Sequence, residues 1–372
     1  MKKLIFITFT IFLTLISING YCDTTVTPPI SQISLTLEKA YDLCASNNLD
    51  VQLINKKIDI VQKKYDNSIK RSEEVLGKIG YTESTNLQYR KDEKLNWRIC
   101  KLDLEDYINQ KETMLTSLQY DIKKKFMDIS LLQQDSEILN KEIENIDRKL
   151  SEINLRVQLG LAKESEYQLT KSQKYSLQNQ LLSINNQIDN SMLQLKKQLG
   201  ISLTFKVILT PPMFPYIALN ESNLSEIIER KANSDFSILK IKQQIENKEI
   251  EKQVVISNTI FKESIDMSTY DIPLIELESK LNQQELDLMV QYWNQYLNLK
   301  ILNETILVEE ANLELEKLNY DAIQAKSKLG MIDTATESNA RISYSRQQNN
   351  LQRAKYNYIL AVEQFNEQLG VQ

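Results

Sequence analysis

Histidine is absent from this sequence of 372 residues, and glycine and proline are scarce. Without histidine there can be no Ser-His-Asp or Cys-His catalytic machinery and no histidine-ligated metal, which excludes most hydrolases. The chain has 7 glycines and 6 prolines, whereas average usage of about 7% and 5% would give several times as many. A turn-rich enzyme would lack the residues that its loops need, so the composition favours long helices.

Cysteine is also rare, and no excess of basic charge is present. Cys22, Cys44 and Cys100 show no paired spacing, so they predict neither a zinc site nor a disulfide framework. The net charge of −5 argues against the basic surface that a nucleic-acid-binding protein needs. Acid pairs such as Glu309-Glu310 are adjacent on a predicted helix, which is poor geometry for acid–base catalysis. We therefore expect no enzyme activity, cofactor, metal or nucleic acid.

Residues 1–20 have the pattern of a secretory signal peptide. Lys2 and Lys3 precede an uncharged run from Leu4 to Ile18, and Gly20 offers a small residue for cleavage. This run is shorter than the ~20 residues that a membrane-spanning helix needs, which argues against an uncleaved anchor. We expect an exported protein in which residues 21–33 form an N-terminal linker.

Apolar residues recur with a helical period along most of the remaining chain. One series, with steps of four and three, comprises Leu139, Ile143, Ile146, Leu150, Ile153 and Val157. A second series, with steps of seven, comprises Tyr292, Leu299, Ile306, Leu313 and Tyr320. This spacing is typical of coiled coils. A single helix over residues 102–159 would be about 85 Å long, too long to bury all its apolar surface within one protomer, so partners must cover the rest.

The chain is also an internal duplication, with a first repeat at 34–202 and a second at 223–372, joined by a proline-containing linker at 203–222. Leu159-Gly160 and Leu199-Gly200 correspond to Leu329-Gly330 and Leu369-Gly370, displaced by 170 residues. In each repeat a short helix is followed by a polar break, at 46–48 and 233–235, that is suited to capping the next helix. Each repeat then ends in two long helices joined by a glycine turn.

Each repeat is interrupted by a segment with alternating character, at about 77–102 and 254–274. In the first segment, apolar residues alternate with polar residues, so that the apolar ones would share one face of a strand. These apolar residues are Ile79, Tyr81, Leu87, Tyr89, Leu95, Trp97 and Ile99. This alternation predicts β-hairpins. A barrel strand needs about 9–11 residues to cross a bilayer, which the first strand could supply and the others barely could. The two interpretations, a membrane-facing hairpin and a soluble hairpin that caps the helices, stay open.

This order of elements resembles the TolC-like outer-membrane efflux protein family. The likeness rests on the duplicated layout, on Leu159-Gly160-Leu161 and Leu329-Gly330-Met331 forty residues before each Leu-Gly end, and on Asn357-Tyr358 near the close. It implies a mainly α fold of long antiparallel coiled-coil helices from a duplicated unit with short β-hairpins. In such a family three protomers form a twelve-stranded β-barrel continuous with an α-barrel.

The resemblance also implies sites and partners. The turns with Leu159, Gly160, Leu161, Leu329, Gly330 and Met331 would meet a periplasmic adaptor, or membrane-fusion, protein that connects an inner-membrane pump. Alternatively, the two glycines only permit tight turns. The pore constriction would lie at Thr336, Glu337 and Asn339. At the positions where the family has aspartates, this chain has Thr336 and Asn339. Three copies of Glu337 could form an acidic ring in the pore; alternatively, Glu337 is a solvated surface residue.

We therefore predict a homotrimeric conduit for efflux or type I secretion in the outer membrane of the cell envelope, in contact with membrane lipid if the barrel forms. Its mechanism would be passive passage through an α-helical tunnel. The alternative is a non-conducting, extracytoplasmic coiled-coil scaffold with a reduced barrel.

Overall fold

The computed structural model describes residues 32–210, 214, 216, 221, 223–260 and 265–370. The predicted signal peptide and nearly all of the N-terminal linker lie outside these residues, as does part of the linker at 203–222. In chain order the elements are β1 Gln32–Leu35, α1 Leu37–Asn47, α2 Leu49–Val75, α3 Glu83–Lys91, a π-helical turn Asp92–Asn96, α4 Trp97–Gln158, α5 Glu164–Gln198, β2 Lys206–Leu209, α6 Leu224–Ser234, α7 Phe236–Asn258, α8 Ser268–Lys328 and α9 Thr334–Leu369.

Both polar breaks are helix N-caps, as the sequence predicts. The Asn48 side-chain oxygen accepts hydrogen bonds from the backbone N–H groups of Asp50 and Val51, at 2.9 and 3.3 Å. The Asp235 carboxylate accepts one from the Ser237 N–H at 2.9 Å. These bonds satisfy donors that the first turn of a helix leaves without an intrahelical partner. Each short helix is therefore separated from the next by one extended residue.

The prediction of a β-hairpin at 77–102 was wrong, because the chain is helical from Glu83 onward. Thr82 caps α3 through its side-chain oxygen. The charged stretch interpreted as the hairpin turn is instead the π-helical turn. Its buried Asp92 carboxylate accepts hydrogen bonds from the side chains four residues before and after it, at 2.8 and 2.6 Å, and from Arg71 on α2 at 3.1 Å.

The error has a simple physical cause. Leu87, Leu95 and Ile99 are spaced by eight and four residues, and such a spacing satisfies both the period of a strand and the period of a helix. The second predicted hairpin, at 254–274, is also wrong, because the chain is helical over 254–258 and 268–274. Its first part ends α7 and its last part begins α8, and residues 261–264 lie outside the described residues.

The long helices lie antiparallel in a row of four, which we call the helix row. In the half that contains the interruptions the order is α2, α4, α7, α8, and in the half that contains the glycine turns it is α5, α4, α9, α8. With 62 residues, α4 alone is about 93 Å long. It runs through the middle of the row, and α8 forms one edge along its whole length.

The core is divided between the two repeats. In the second repeat, α6, α8 and α9 pack through buried residues that include Tyr292, Leu299 and Ile306, which confirms the predicted heptad face. In the first repeat, β1, α1, α4 and α5 pack around residues such as Phe126 and Leu195. The parallel pairing of β1 with β2 joins the start of the first repeat to the linker. Among the described helices, none has the combination of length and apolar character needed to cross a membrane.

Candidate functional site

The two glycine turns between the long helices have the same geometry. Gly160 has φ 73° and Gly330 has φ 70°. In the first turn the Leu161 N–H donates to the Arg156 carbonyl at 2.8 Å, and in the second the Met331 N–H donates to the Lys326 carbonyl at 3.0 Å. These bonds define Schellman motifs, which need a residue in the left-handed region and therefore favour glycine.

The apolar residues in these turns are exposed. Leu159 and Leu161 are 64% and 68% exposed, and Leu329 and Met331 are 75% and 70% exposed. The turn at Gly200 has the same hydrogen-bonding pattern, yet Leu199 beside it is fully buried. Because a turn of this kind can bury its apolar neighbours, the exposure at the two long hairpins is a property of these turns in particular. All six residues predicted to dock an adaptor thus lie at one end of the helix row.

The three residues predicted at a constriction lie in the first two turns of α9, and each makes a hydrogen bond to a neighbouring residue. The Asp333 carboxylate caps the backbone N–H of Thr336 at 2.6 Å. The Glu337 carboxylate accepts a hydrogen bond from Ser327 at the end of α8. Asn339 accepts one from Asn145 on α4 at 3.4 Å. Thr336 and Asn339 are exposed, and Glu337 is half-buried.

Asn145 belongs to a seam of polar contacts between α4 and α9, which the sequence analysis missed. The seam joins the first repeat to the second. Its contacts are Asn145 with Ser338 at 2.8 Å, Glu142 with Arg346, Asp135 with Arg353 at 2.9 Å, and Lys123 with Glu363. Asn349 is buried in the same seam and donates to the Leu131 carbonyl at 3.3 Å. Polar pairs therefore join the two repeats along much of α9.

Burial changes the pKa of the acidic residue in one of these pairs, Glu142 with Arg346. Desolvation raises the pKa of the Glu142 carboxyl, and the nearby Arg346 guanidinium only partly opposes this effect. The sequence contains a spacing that is compatible with these pairs. Asp135 and Glu142 are seven residues apart, as are Arg346 and Arg353, so two antiparallel helices align both pairs at once.

The edge formed by α8 carries an apolar stripe that no other part of the protomer covers in the described structure. Its residues are separated by three, four, seven or eleven positions, which place them on one side of the helix. More than half of each side chain is exposed at Ile272, Ile275, Leu286, Val290, Leu297, Ile301, Val308, Leu315 and Leu318. A sustained stripe of this type is expected to pack against another helix.

The opposite edge of the helix row is formed by α2 in one half and α5 in the other, and it also exposes apolar side chains. On α2 these are Leu53 and Ile60, and on α5 they are Leu169, Tyr175 and Leu182, each more than half exposed. The protomer therefore has two different apolar edges. The structure leaves both edges free along the row.

The seven residues predicted on a membrane-facing hairpin do not share one face. Leu95 is buried in the π-helical turn, and Leu87, Tyr89 and Trp97 are half-buried. Ile99 is 41% exposed on α4, whereas Ile79 and Tyr81 are exposed in the loop before α3. Within the described residues, no group of three or more acidic or cysteine side chains could hold a metal ion.

The described chain is thus a duplicated row of four long helices with two unlike apolar edges and exposed glycine turns at one end. Comparison by sequence adds nothing further, since no family profile and no curated protein matches the chain.

Comparison by structure identifies the fold. The chain is similar to CusC, whose crystal structures concern the conformational changes that accompany folding and transmembrane channel formation. The TM-score is 0.64 and the identity 8%, over 90% of this chain and 92% of the CusC chain. It is similar to the outer membrane protein VceC of Vibrio cholerae, with a TM-score of 0.60 and 10% identity over 90% and 96%. It is also similar to the CmeC outer membrane channel of Campylobacter jejuni, with a TM-score of 0.58 and 10% identity over 90% and 85%. The chain therefore has the fold of TolC-type outer-membrane channels, which confirms the mainly α fold of long antiparallel helices that the resemblance implied.

Proposed function

We propose that this chain is the subunit of a TolC-like conduit at the outer membrane of the cell envelope, in an efflux or type I secretion system. Three protomers form a ring of twelve long helices, and solute passes through the tunnel without chemical change. The similarity of the fold to outer-membrane channels supports this function. A conduit of this kind requires no catalytic group and no cofactor.

The observation that carries the proposal is the pair of unlike apolar edges. Because α8 lies at one edge and α2 and α5 lie at the other, the stripe on one protomer meets a different surface on the next. Such head-to-tail contacts continue until the row closes into a ring or extends as a filament. The similarity of the fold to outer-membrane channels supports closure as a ring.

The end with the glycine turns is where the conduit opens and meets its partner. The exposed residues at Leu159–Leu161 and Leu329–Met331 dock a periplasmic adaptor, which connects the conduit to an inner-membrane pump. Thr336, Glu337 and Asn339 lie within two turns of this docking surface. Because α4 and α9 meet here through polar pairs, which water can replace at small net cost, the tip helices can separate and widen the pore.

Two measurements test this function. Light scattering of the mature protein in mild detergent should give the mass of three protomers, and the same sample should conduct ions across a planar bilayer. A monomer or dimer would overturn the ring. As a control, a Leu239→Glu variant should keep both properties, because Leu239 is 46% exposed on α7, which is not an edge of the row.

A second function is favoured by one observation. The interruptions predicted as membrane-facing hairpins are helical over 83–102, 254–258 and 268–274. This supports an extracytoplasmic scaffold with the same ring of helices and no conductance. A trimer that conducts no ions in the bilayer measurement would favour the scaffold over the conduit.

A further inference from the structure

The end of the helix row opposite the glycine turns also exposes apolar side chains, at a surface that we call the outer tip. It consists of loop 76–82 between α2 and α3 and of Thr259 and Ile260 after α7. Leu76 is 69% exposed, Ile79 is 79% exposed, Ile260 is 73% exposed, and the whole Tyr81 side chain projects into solvent. Four apolar side chains therefore lie beyond the ends of the two helices.

The two loops are fixed to each other by polar contacts. The Glu83 carboxylate accepts a hydrogen bond from the Ile260 N–H at 3.1 Å, and the Asn86 side chain donates to Asn258 at 3.4 Å. Asn86 also accepts from the Gly80 N–H at 3.3 Å. A Cβ on Gly80 would lie 2.3 Å from the Asn86 nitrogen, so only glycine permits this approach. The contacts hold the loops in place while the apolar side chains point away from the protein.

The arrangement does not suit a neighbouring helix. The apolar residues of the α8 edge follow the period of a helix, whereas those of the outer tip come from two loops and share no helical period. They also lie past the ends of α2 and α7, beyond the helices that pair along the row. A fluid apolar surface fits them better, because its molecules rearrange around the inserted side chains and need no fixed spacing of residues.

The composition of the outer tip points to the interface of a lipid membrane. Tyrosine is enriched at membrane interfaces because its ring is apolar and its hydroxyl remains hydrated. Lys78 lies exposed between Leu76 and Ile79, and its backbone carbonyl is held by Arg90 at 3.2 Å. Its cation complements anionic lipid headgroups.

We propose that the outer tip docks on a lipid surface by inserting Leu76, Ile79, Tyr81 and Ile260 into the headgroup region, with Lys78 among the phosphates. This inference rests on the proposed outer-membrane location. In a trimer, three copies of each loop lie on one rim and bind the membrane together, so the attachment is multivalent.

Flotation of the mature protein with vesicles of phosphatidylethanolamine and phosphatidylglycerol tests the proposal. The combined variant Ile79→Ser, Tyr81→Ser, Ile260→Ser should lower the partition coefficient at least about 100-fold, since each large apolar side chain contributes about tenfold. The matched control is Leu49→Ser, because Leu49 is 78% exposed at the opposite end of α2. This control should bind like the wild type.

Vesicle binding that survives the triple substitution would overturn the proposal, as would an equal loss in the Leu49→Ser control. A wild-type protein that ignores vesicles altogether would also overturn it, and would assign the outer tip to a protein partner. Light scattering on the same samples separates this result from the proposed ring. A trimer that fails to bind vesicles contradicts the lipid contact alone, whereas a monomer contradicts the ring.

Discussion

Head-to-tail assembly predicts how two defective protomers behave when they are mixed. The first variant, Leu315→Glu with Leu318→Glu, places charges on the α8 edge. The second, Tyr175→Glu with Leu182→Glu, places them on the α5 edge. Each variant keeps one intact edge, and the two intact edges are complementary. Either variant alone should be a monomer, and an equimolar mixture should form a dimer that cannot grow further.

The magnitude follows from the exposure of the substituted side chains. Leu315 and Leu318 are 57% and 61% exposed in the protomer, and full burial of a leucine contributes about 1.5–3 kcal/mol. Covering the exposed part of both should therefore contribute about 2–3 kcal/mol. Burying a glutamate without a partner adds a further penalty of several kcal/mol. The total exceeds about 4 kcal/mol, so the contact should weaken about 1,000-fold or more.

Sedimentation velocity of each variant, and of the mixture, measures the outcome directly. The Leu239→Glu chain is the matched control and should sediment like the wild type. If the α5-edge variant alone forms a dimer, its α8 edge pairs with itself, and the reasoning from unlike edges is refuted. A mixture that remains monomeric would show that the two edges do not meet.

Three further predictions concern single sites. Leu161→Ser combined with Met331→Ser should abolish adaptor capture in a pull-down while the far-ultraviolet circular dichroism stays unchanged; capture at the wild-type level would contradict the docking surface. Glu142→Gln should stabilise the protein at about pH 7.5 and make no difference at about pH 4. This is because the raised pKa of Glu142 gives stability that is present below the usual carboxyl value of 4.5 and is lost as the pH rises through the folded-state value. A lower melting temperature for this variant at about pH 7.5 would refute the assignment. Phe126→Ala should cost about 3–5 kcal/mol in urea unfolding, because Phe126 is 2% exposed; a loss below about 1 kcal/mol would contradict its place in the core.

Local patterns in the sequence predicted the elements that local forces control. The heptad of Tyr292, Leu299 and Ile306 is buried, the breaks at Asn48 and Asp235 are caps, and the glycines before Leu161 and Met331 end long helices. In each case the residues that decide the conformation lie within one or two turns of each other. Periodicity and capping are therefore sufficient to find them.

Contacts between the repeats were not predictable in the same way. Glu142 and Arg346 are about two hundred residues apart, and each looks like an ordinary charged residue on its own helix. The equal seven-residue spacing of Asp135 and Glu142 and of Arg346 and Arg353 is compatible with their pairing. It does not specify which faces of α4 and α9 meet. The hairpin error had a different origin, since Leu87, Leu95 and Ile99 fit two periods equally and the deciding contact, Arg71 with Asp92, comes from another helix.

The contrast between the seams of the protomer has a mechanical consequence. Within the second repeat, α8 and α9 meet through buried Leu299, Ile306 and Tyr358, whose separation would expose apolar surface. Between the repeats, buried Met127, Ile359 and Leu360 join α4 to α9 near the middle of α4. Closer to the glycine turns, the two helices meet through pairs such as Asp135 with Arg353, whose groups water solvates almost as well. Toward the glycine turns, the subunit is therefore stiff against separation of α8 from α9 and compliant against movement of α4 along α9. Thermal energy alone should displace the tips along that one soft coordinate, so that a docking partner biases a motion that is already present.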